Sequence, residues 1–367
     1  MKNQLPPPKL TKRIDINTGY SCNLKCSFCY YLNDVKSKNK NKDLSTLRCK
    51  NLISYYAAKK MQVLEFTGGE PTIRKDFLEL VSFARDKGFK KISLITNGIL
   101  LSDRSFARRL VENKVEDFLF SLHGSTSDVH DKVTGMPGSY KLLNKAIENL
   151  LGLSVKVRCN SVVNGENFSD VYQRAKLFKD LGVKIVNFIL FNPIEQAKFS
   201  DKKNFICYAD VSDKLKRIAD DFGPFFNKLT FRYIPFCQMA GYEKHVQNVH
   251  QVHYDHDEWN YYLRSFIREN RLKWVGAVGL GMMLLPEKEK WLSWGMEHFK
   301  SAAILQAHSF LHKHKFPQCK RCRYGFICGG IWKNYASYYG DRGIKESSGE
   351  LILQPWHFMG QEQLAHT

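Results

Sequence analysis

The sequence lacks the long apolar run of a membrane-spanning helix, because none of its 367 residues lies in a stretch of 18 consecutive apolar residues. Its first residues, MKNQLPPPKL, contain no apolar segment of the kind that secretory signals carry. Internal repeats are also absent. Hydrophobic residues make up 43% of the chain, which excludes wholesale disorder. We therefore expect a globular, cytoplasmic protein with no membrane contact.

The chain has fewer acidic than basic residues. It contains 36 Asp and Glu and 56 Lys and Arg, which gives a net charge of +20. Such a surplus favours an anionic partner, whether nucleic acid, a phosphorylated substrate or an acidic lipid surface. A solvated basic surface explains the same number equally well. Net charge alone therefore does not decide the function.

Ten cysteines are present, and most of them fall into two close groups. In a reducing cytoplasm, closely spaced thiols indicate metal or cluster ligands rather than disulfides. Three other cysteines are expected to be small buried hydrophobic residues; these are Cys49, Cys159 and Cys207.

Short β-branched runs alternate with amphipathic stretches from residue 13 to about 192. Two helices are predicted between the strands, one over Arg74–Lys87 and one over Ser102–Glu112 with Ser102 as its N-cap. A repeated strand–helix–strand order predicts an α/β fold with a wholly or partly closed parallel barrel, whose strand ends converge on one ligand-binding face. The predicted strands are Arg13–Thr18, Gln62–Thr67, Lys91–Thr96, Asp117–Leu122, Ser154–Val163 and Lys184–Leu190, and Leu229–Ile234 is a further candidate.

The first cysteine group, Cys22, Cys26 and Cys29, forms a C-x₃-C-x₂-C pattern in the loop after the first strand. Three thiolates on a short loop can ligate three irons of a [4Fe–4S] cluster and leave the fourth iron without a protein ligand. A zinc site would need a fourth close ligand, and the sequence offers none nearby.

With this motif, the sequence resembles the radical S-adenosylmethionine (SAM) family over roughly residues 11–195. An aromatic residue precedes the third cysteine, and polar motifs close the second, third and fourth strands in the order of that family. These residues are Phe28, the sequence Thr67-Gly68-Gly69-Glu70-Pro71, the sequence Thr96-Asn97-Gly98, and the sequence Ser121-Leu122-His123-Gly124.

The resemblance implies a partial (β/α)₆ barrel in which SAM chelates the open iron. Electron transfer from the reduced cluster would cleave SAM to a 5′-deoxyadenosyl radical that abstracts hydrogen from the substrate. Phe28 would face adenine, and Gly68 and Gly69 would let the backbone approach the methionyl amino group. Glu70 would anchor that turn or accept a hydrogen bond from the substrate end.

Three further residues complete the SAM site that the resemblance implies. Ser121 or Asn160 would hold the SAM carboxylate or ribose, and Asn97 is a third cofactor-binding candidate. His123 is the candidate catalytic residue. A buried or helix-capping histidine is the alternative.

The second cysteine group, Cys319, Cys322 and Cys328, is followed by two glycines and resembles the SPASM/twitch extensions of radical SAM enzymes, which hold an auxiliary [4Fe–4S] cluster. The full SPASM pattern has a further cysteine where this sequence has Trp332, which favours a single cluster in a shortened, twitch-like module. Its fourth ligand would be Cys237, or an open iron would bind substrate. Zinc held by the same four cysteines is the alternative.

Three regions are expected from these motifs: a radical SAM core over residues 1–195, a linking helical region over 196–300 that contributes Cys237, and the auxiliary-cluster module over 301–367. The stretch 245–258 is expected to be a polar helix at the substrate opening. A metal site is the alternative there, formed by His245, His250, Asp255, Asp257 and their neighbours His253 and His256.

The favoured function is a radical SAM oxidoreductase that acts on a peptide or small metabolite, with anionic substrates compatible with the charge. An external electron donor such as flavodoxin or ferredoxin is implied. The few residues ahead of the first strand weaken a role in maturing ribosomal peptides. One alternative substrate is RNA or a nucleotide. The other alternative is a non-catalytic iron–sulfur or zinc regulator that binds nucleic acid, although no helix-turn-helix motif is evident.

Overall fold

A computed structural model describes the protein over residues 7–29, 43–191, 202–258 and 272–360. The chain divides into two compact units, a core unit of Lys12–Arg232 and a second unit of Met1–Thr11 with Tyr233–Thr367. The predicted boundary at residue 195 lies outside the described residues. Among the helices of the described ranges, none has the length and apolar character required to cross a membrane.

The core unit alternates strands with helices, as the sequence predicts. Each predicted strand is present with ends within two residues of those expected, and the candidate seventh strand is confirmed. The strands are β1 Arg13–Asn17, β2 Val63–Thr67, β3 Lys91–Thr96, β4 Val115–Ser121, β5 Lys156–Val163, β6 Ile185–Leu190 and β7 Lys228–Arg232. The helices are α1 Thr46–Ala58, α2 Phe77–Asp86, α3 Arg104–Glu112, α4 Ser127–Thr134, α5 Ser139–Leu151, α6 Val171–Asp180 and α7 Tyr208–Phe222.

The seven strands of the core unit lie side by side in sequence order, and every neighbouring pair is parallel. Glu65 of β2 forms an ion pair with Arg158 of β5 at 3.0 Å, although two strands lie between β2 and β5. Adjacent strands are about 4.8 Å apart, so a flat sheet would hold these two residues beyond the reach of an arginine side chain. The sheet is therefore curled, and the fold is the expected α/β partial barrel.

The two predicted helices of the core unit are present as α2 and α3. The predicted face of α2, formed by Phe77, Leu80, Val81 and Ala84, is buried. The N-cap prediction for α3 is wrong, because Ser102 ends a 3₁₀ helix and its hydroxyl donates to the carbonyl of Ile99. The side chain of the next residue, Asp103, accepts a hydrogen bond from the backbone N–H of Ser105 at 2.8 Å and caps the helix instead.

The second unit is built around a small core that includes Tyr254, Leu305 and Trp356. The stretch 245–258 does not form the predicted polar helix, because only four of its residues are α-helical and most of its side chains are buried. The elements of this unit are β8 Val246–Gln247, α8 Val249–Val252, α9 Leu272–Met283, α10 Lys288–Ser293, α11 Met296–His312, β9 Lys313–His314, β10 Ile331–Trp332 and α12 Lys333–Tyr339.

Candidate functional site

The first cysteine group lies in the loop that follows β1, as predicted. One carboxylate oxygen of Asp43 accepts hydrogen bonds from the backbone N–H groups of Tyr20 and Ser21, at 2.8 and 2.9 Å. These bonds lower the pKa of Asp43, although its partial burial acts in the opposite direction. The start of the loop is thus held by a carboxylate just before Cys22.

Gly68 and Gly69 bring the end of β2 against this loop. The backbone N–H of Gly69 donates to the carbonyl of Gly19, and the N–H of Glu70 donates to the carbonyl of Ser21, both at 2.8 Å. A Cβ atom on Gly68 would lie 2.6 Å from the carbonyl oxygen of Gly19, and one on Gly69 would lie 2.1 Å from that of Ser21. The structure therefore gives these glycines a first role, which is to admit the backbone of the cysteine loop.

The second half of the loop is anchored on the end of α4. The backbone N–H groups of Lys25 and Ser27 donate to the carbonyls of Thr134 and Val133, both at 2.9 Å. The hydroxyl of Ser27 also donates to Glu166 at 2.6 Å. The backbone on both sides of Cys26 is thereby fixed.

The three thiols are close enough to influence one another electrostatically. Desolvation raises the pKa of Cys22 to about 11, with contributions from the charges of Glu70 and Cys29 and with the N–H groups of Leu24 and Asn97 acting in the opposite direction. Burial also raises the pKa of Cys26, and both other thiols contribute. Three thiolates held together need a cationic group between them to be stable as anions.

The number of thiols in the loop fits a cluster better than a single zinc ion. Three thiolates can each bind a different iron of a [4Fe–4S] cluster. A structural zinc site would need a fourth close ligand.

Glu70 is buried, and its carboxylate is occupied by hydrogen bonds of the protein itself. One oxygen accepts from the N–H and hydroxyl of Thr72, at 3.0 and 2.6 Å, and from the hydroxyl of Thr96 at 2.9 Å. The other oxygen accepts from the N–H of Asn97 at 2.6 Å. Burial raises the pKa of Glu70, while these bonds oppose the change. Glu70 was expected either to anchor the turn or to accept a hydrogen bond from the substrate, and these contacts fit the first role.

The expected aromatic and histidine neighbours of the loop are in contact. The ring of Phe28 meets His123 edge to face, with centroids 4.8 Å apart. His123 is buried, and its Nδ1 accepts a hydrogen bond from the backbone N–H of Val162 at 3.1 Å. Burial, with His130 and Arg174 nearby, lowers the pKa of His123 well below its usual value, so the ring is neutral.

Ser121, the last residue of β4, is the register partner of Asn160 in β5. Asn160 ends a row of hydrogen bonds that crosses three strands. The hydroxyl of Thr230 donates to Asn187 at 2.5 Å, and the amide nitrogen of Asn187 donates to the amide oxygen of Asn160 at 2.8 Å. Asn187 and Thr230 are fully buried, while Asn160 is partly exposed. The row turns the amide nitrogen of Asn160 away from Asn187.

The second unit brings Cys237 together with the second cysteine group. All four thiols line one cavity, whose empty volume including open solvent is about 420 Å³. Burial raises the pKa of Cys237 to about 12, and the other three thiols contribute to that shift. The N–H of Lys345 donates to the sulfur of Cys237 and acts in the opposite direction. The four cysteines of this cavity are Cys237, Cys319, Cys322 and Cys328.

Tyr324 ties the segment of Cys237 to the second cysteine group. Its hydroxyl donates to Glu243 at 2.6 Å, and its ring stacks on Phe236 with centroids 5.2 Å apart. Because Phe236 precedes Cys237 and Tyr324 lies between Cys322 and Cys328, this contact sets the position of the fourth thiol.

The two glycines after Cys328 have left-handed backbone, with φ of 68° at Gly329 and 91° at Gly330. A Cβ on Gly330 would lie 2.5 Å from the carbonyl oxygen of His314 in the paired strand β9. Trp332, which stands where a full SPASM pattern has cysteine, is buried against Lys313, whose Nζ is 3.5 Å from a ring centroid of the indole. These contacts give Trp332 a packing role in this module.

The histidine- and aspartate-bearing stretch brings three of its metal-ligand candidates together, because one ligand atom each of Asp255, His256 and Asp257 lies within 4.8 Å of the other two. The amide nitrogen of Gln247 donates to Asp255 at 2.6 Å, and His256 and Asp257 are 3.5 Å apart. His250 instead hydrogen-bonds Ser309 at 3.0 Å. The three other cysteines are buried as predicted: Cys49, Cys159 and Cys207.

Sequence reasoning missed the residues that hold the cysteine loop and the row behind Asn160. Asp43, Glu166 and Asn204 contact the loop from distant positions, so no short motif contains them. Asn187 is the one polar residue of β6, and Thr230 lies between two apolar residues of β7. A polar residue inside an apolar run of a strand is the signal that would have found them.

Comparison with known proteins agrees with this geometry. Residues 16–178 match the Radical SAM superfamily. The chain therefore contains a radical SAM domain, whose members use a [4Fe–4S] cluster with SAM.

Several known proteins are similar in sequence to part of the chain. Fe-coproporphyrin III synthase of Methanosarcina barkeri is 36% identical over 156 residues, which cover 42% of this chain and 38% of that protein. The probable GTP 3′,8-cyclase of Saccharolobus solfataricus is 28% identical over 191 residues, which cover 52% of this chain and 60% of that protein. The chain thus spans less than two thirds of the length of each of these relatives.

One solved structure is similar along nearly the whole chain. It is native anSMEcpe with bound AdoMet and a peptide, with a TM-score of 0.54 and 18% identity over 94% of each chain. At that identity, the likeness concerns the fold alone.

Proposed function

We propose that the chain is a radical SAM enzyme that reductively cleaves SAM and abstracts hydrogen from its substrate. The observation that carries this proposal is the loop of Cys22, Cys26 and Cys29, fixed against Gly68 and Gly69 at the strand ends of a parallel partial barrel. A [4Fe–4S] cluster on these thiols, with SAM, would supply one-electron reduction of a sulfonium and a 5′-deoxyadenosyl radical.

The residues around the loop would bind and orient SAM. Phe28 would offer its ring to adenine, since His123 supports that ring from the side. Ser121 and the amide nitrogen of Asn160 would donate hydrogen bonds to the carboxylate or ribose of SAM. His123 would serve as a buried support, because its Nδ1 is already an acceptor and its ring is neutral.

The second unit would hold an auxiliary [4Fe–4S] cluster with four protein ligands. The shared cavity of Cys237, Cys319, Cys322 and Cys328 supports this part of the proposal. Four thiolates leave no iron open for substrate, so this cluster would exchange electrons with the substrate radical during oxidation or bond formation. In this proposal, residues 1–195 form the SAM-cleaving region, 196–300 link it and contribute Cys237, and 301–367 form the auxiliary module.

The substrate would be a peptide or a small metabolite. Two of the curated relatives are named for coproporphyrin and GTP, both of which are anionic. The net charge of +20 suits an anionic small molecule of this kind. A nucleotide is therefore the second candidate substrate, and an external donor such as flavodoxin or ferredoxin would supply the electron.

The decisive measurement is the formation of 5′-deoxyadenosine. Protein reconstituted anaerobically with iron and sulfide is reduced with dithionite and given SAM, and we expect wild type to release 5′-deoxyadenosine and methionine. Cys26→Ala should release none. Cys159→Ala is the matched control, because Cys159 is buried in β5 and is not one of the proposed cluster ligands, and it should retain activity.

A regulator that binds metal without catalysis would release no 5′-deoxyadenosine in any variant, and that result would reject the proposed function. Binding of RNA that weakens steeply with added salt, together with turnover of that RNA, would instead select the nucleic-acid substrate.

A further inference from the structure

The sulfur of Cys22 receives two N–H donors from the protein. The backbone N–H of Leu24 donates to it at 3.4 Å, and the side-chain amide of Asn97 donates to it at 3.7 Å. Asn97 lies beyond the end of β3, 75 residues from Cys22 in sequence. This contact therefore depends on the fold rather than on the cysteine loop alone.

The orientation of the Asn97 amide is fixed from both ends. Its oxygen accepts a hydrogen bond from the N–H of Ile99 at 3.1 Å, so its nitrogen must point the other way. That nitrogen donates to the amide oxygen of Asn23 at 2.7 Å and to the sulfur of Cys22. The backbone N–H of Asn97 is held by Glu70 at 2.6 Å.

These bonds form a continuous connection from buried groups to a thiol. Thr72 and Thr96 hold the carboxylate of Glu70, Glu70 holds the backbone of Asn97, and Asn97 presents an N–H to Cys22. Each member belongs to the core unit. A rotation of the Asn97 amide would break the bonds to both Ile99 and Asn23.

We propose that Asn97 is a positioning residue that raises the reduction potential of the cluster on Cys22, and that Glu70 acts through Asn97. This inference rests on the proposed function, since it requires the cluster. Reduction adds one electron to the cluster, and part of the added negative charge resides on the thiolate sulfurs. An N–H donor stabilises the reduced form more than the oxidised form, because hydrogen bonds strengthen with the charge of the acceptor.

The assignment gives Asn97 a role other than direct contact with SAM. Its amide nitrogen already has two acceptors, and its amide oxygen has a donor. The two roles predict different effects of substitution. Loss of a cluster contact shifts a potential, whereas loss of a SAM contact raises the KM for SAM.

The test is a redox titration of the reconstituted full chain. The reduced cluster is monitored through the EPR signal that changes when SAM is added. Asn97→Leu removes the donor at nearly constant size and adds no charge. We expect the ratio of reduced to oxidised cluster at a fixed potential to fall about tenfold, which is 59 mV for one electron. Asn97→Ala, which removes the same donor, should shift the ratio in the same direction. Glu70→Gln removes a negative charge near Cys22 as well as the acceptor that holds Asn97. Its effect on the ratio should therefore differ between wild type and the Asn97→Leu background, because Glu70 acts through Asn97.

Asn149→Leu is the matched control. Asn149 is also a buried asparagine of the core unit, and its amide nitrogen donates to the carbonyls of Leu101 and Ser102, both at 3.0 Å. The control should leave the potential unchanged. Iron and sulfide content are measured for every variant, so that loss of the cluster is distinguished from a shift in its potential.

An unchanged potential in Asn97→Leu with a full cluster would overturn the inference, and so would a raised KM for SAM as the only effect. If Asn97→Leu does not retain its cluster, the potential of Asn97→Ala decides, and no shift there overturns the inference. Wild type without any SAM-sensitive cluster would instead refute the proposed function.

Discussion

The predicted role of Asn160 in binding SAM depends on two residues that are distant in sequence, Asn187 and Thr230. Its amide oxygen is taken by Asn187, and the oxygen of Asn187 is taken by Thr230. All hydrogen bonds of this row therefore run in one direction, with each donor pointing toward Asn160. A side chain fixed in this way binds a ligand without losing further rotamer freedom.

Thr230→Val should weaken SAM binding by this reasoning. The substitution keeps the shape of the side chain but removes the donor to Asn187, so both amides become free to rotate. We expect the KM for SAM to rise about fivefold, which corresponds to about 1 kcal/mol, with little change in kcat or iron content. Thr46→Val is the control, because its hydroxyl donates to Asp76 at 2.7 Å outside this row. Equal effects in both variants would show that the row does not orient Asn160.

At the scale of elements, the curled sheet is held together by buried charges as well as by apolar packing. Arg158 contacts Asp117 at 2.6 Å and Glu65 at 3.0 Å, and Arg13 pairs with Glu65. Lys91 contacts Asp117 at 3.1 Å. These pairs connect β1, β2, β3, β4 and β5. Breaking one partner of such a network is costly, because an unpaired charge stays buried.

Asp117→Asn should lower the free energy of unfolding by about 3 kcal/mol at neutral pH. Burial alone would raise the pKa of Asp117, but Arg158, Lys91 and Arg13 hold it below its usual value. The carboxylate therefore contributes stability above its unfolded pKa of about 3.9, and this contribution is lost as the pH falls below that value.

Denaturant unfolding of both proteins between pH 7 and pH 3 measures this effect. The difference between wild type and Asp117→Asn should be largest at neutral pH and should narrow below about pH 4. Asp86→Asn, at an exposed and loosely paired position, should change stability by less than about 0.5 kcal/mol. A difference that stays constant with pH would contradict the ionic account of Asp117.

At the scale of the whole molecule, each compact unit contains its own group of cysteines. Cys22, Cys26 and Cys29 belong to the core unit, whereas Cys237 and the second cysteine group belong to the other. Because each site takes its ligands from one unit, the two proposed clusters should assemble independently.

Iron content tests this independence. Reconstituted wild type should contain about eight irons per chain, and Cys319→Ala combined with Cys322→Ala should contain about four. Cys237→Ala should also lose iron from the second unit, while Cys207→Ala, at a buried cysteine, should not. Unchanged iron together with one zinc per chain would reject the auxiliary cluster, and full iron in Cys237→Ala would reject Cys237 as a ligand.

The sequence was sufficient to predict those parts of the fold and of the site that depend on residues close together in the chain. Strand positions followed from apolar periodicity, and the cysteine and glycine motifs are short enough to be seen directly. The cap of α3 was misplaced by one residue, because Ser102 and Asp103 are both good caps and their local backbone decides between them. The polar helix over 245–258 was wrong, because burial and tertiary hydrogen bonds outweigh helical propensity in that stretch.

The amino-acid sequence by itself determined the order of the strands, the spacing of the thiols and the glycines beside them, because these depend on neighbours along the chain. Only the tertiary structure decided which residues hold the sulfurs in place. Cys237 reaches its partners more than 80 residues later in the chain, and Asn97, after β3, reaches Cys22, after β1, across the end of β2. Such contacts follow from the curl of the sheet and the packing of each unit, which no local pattern specifies.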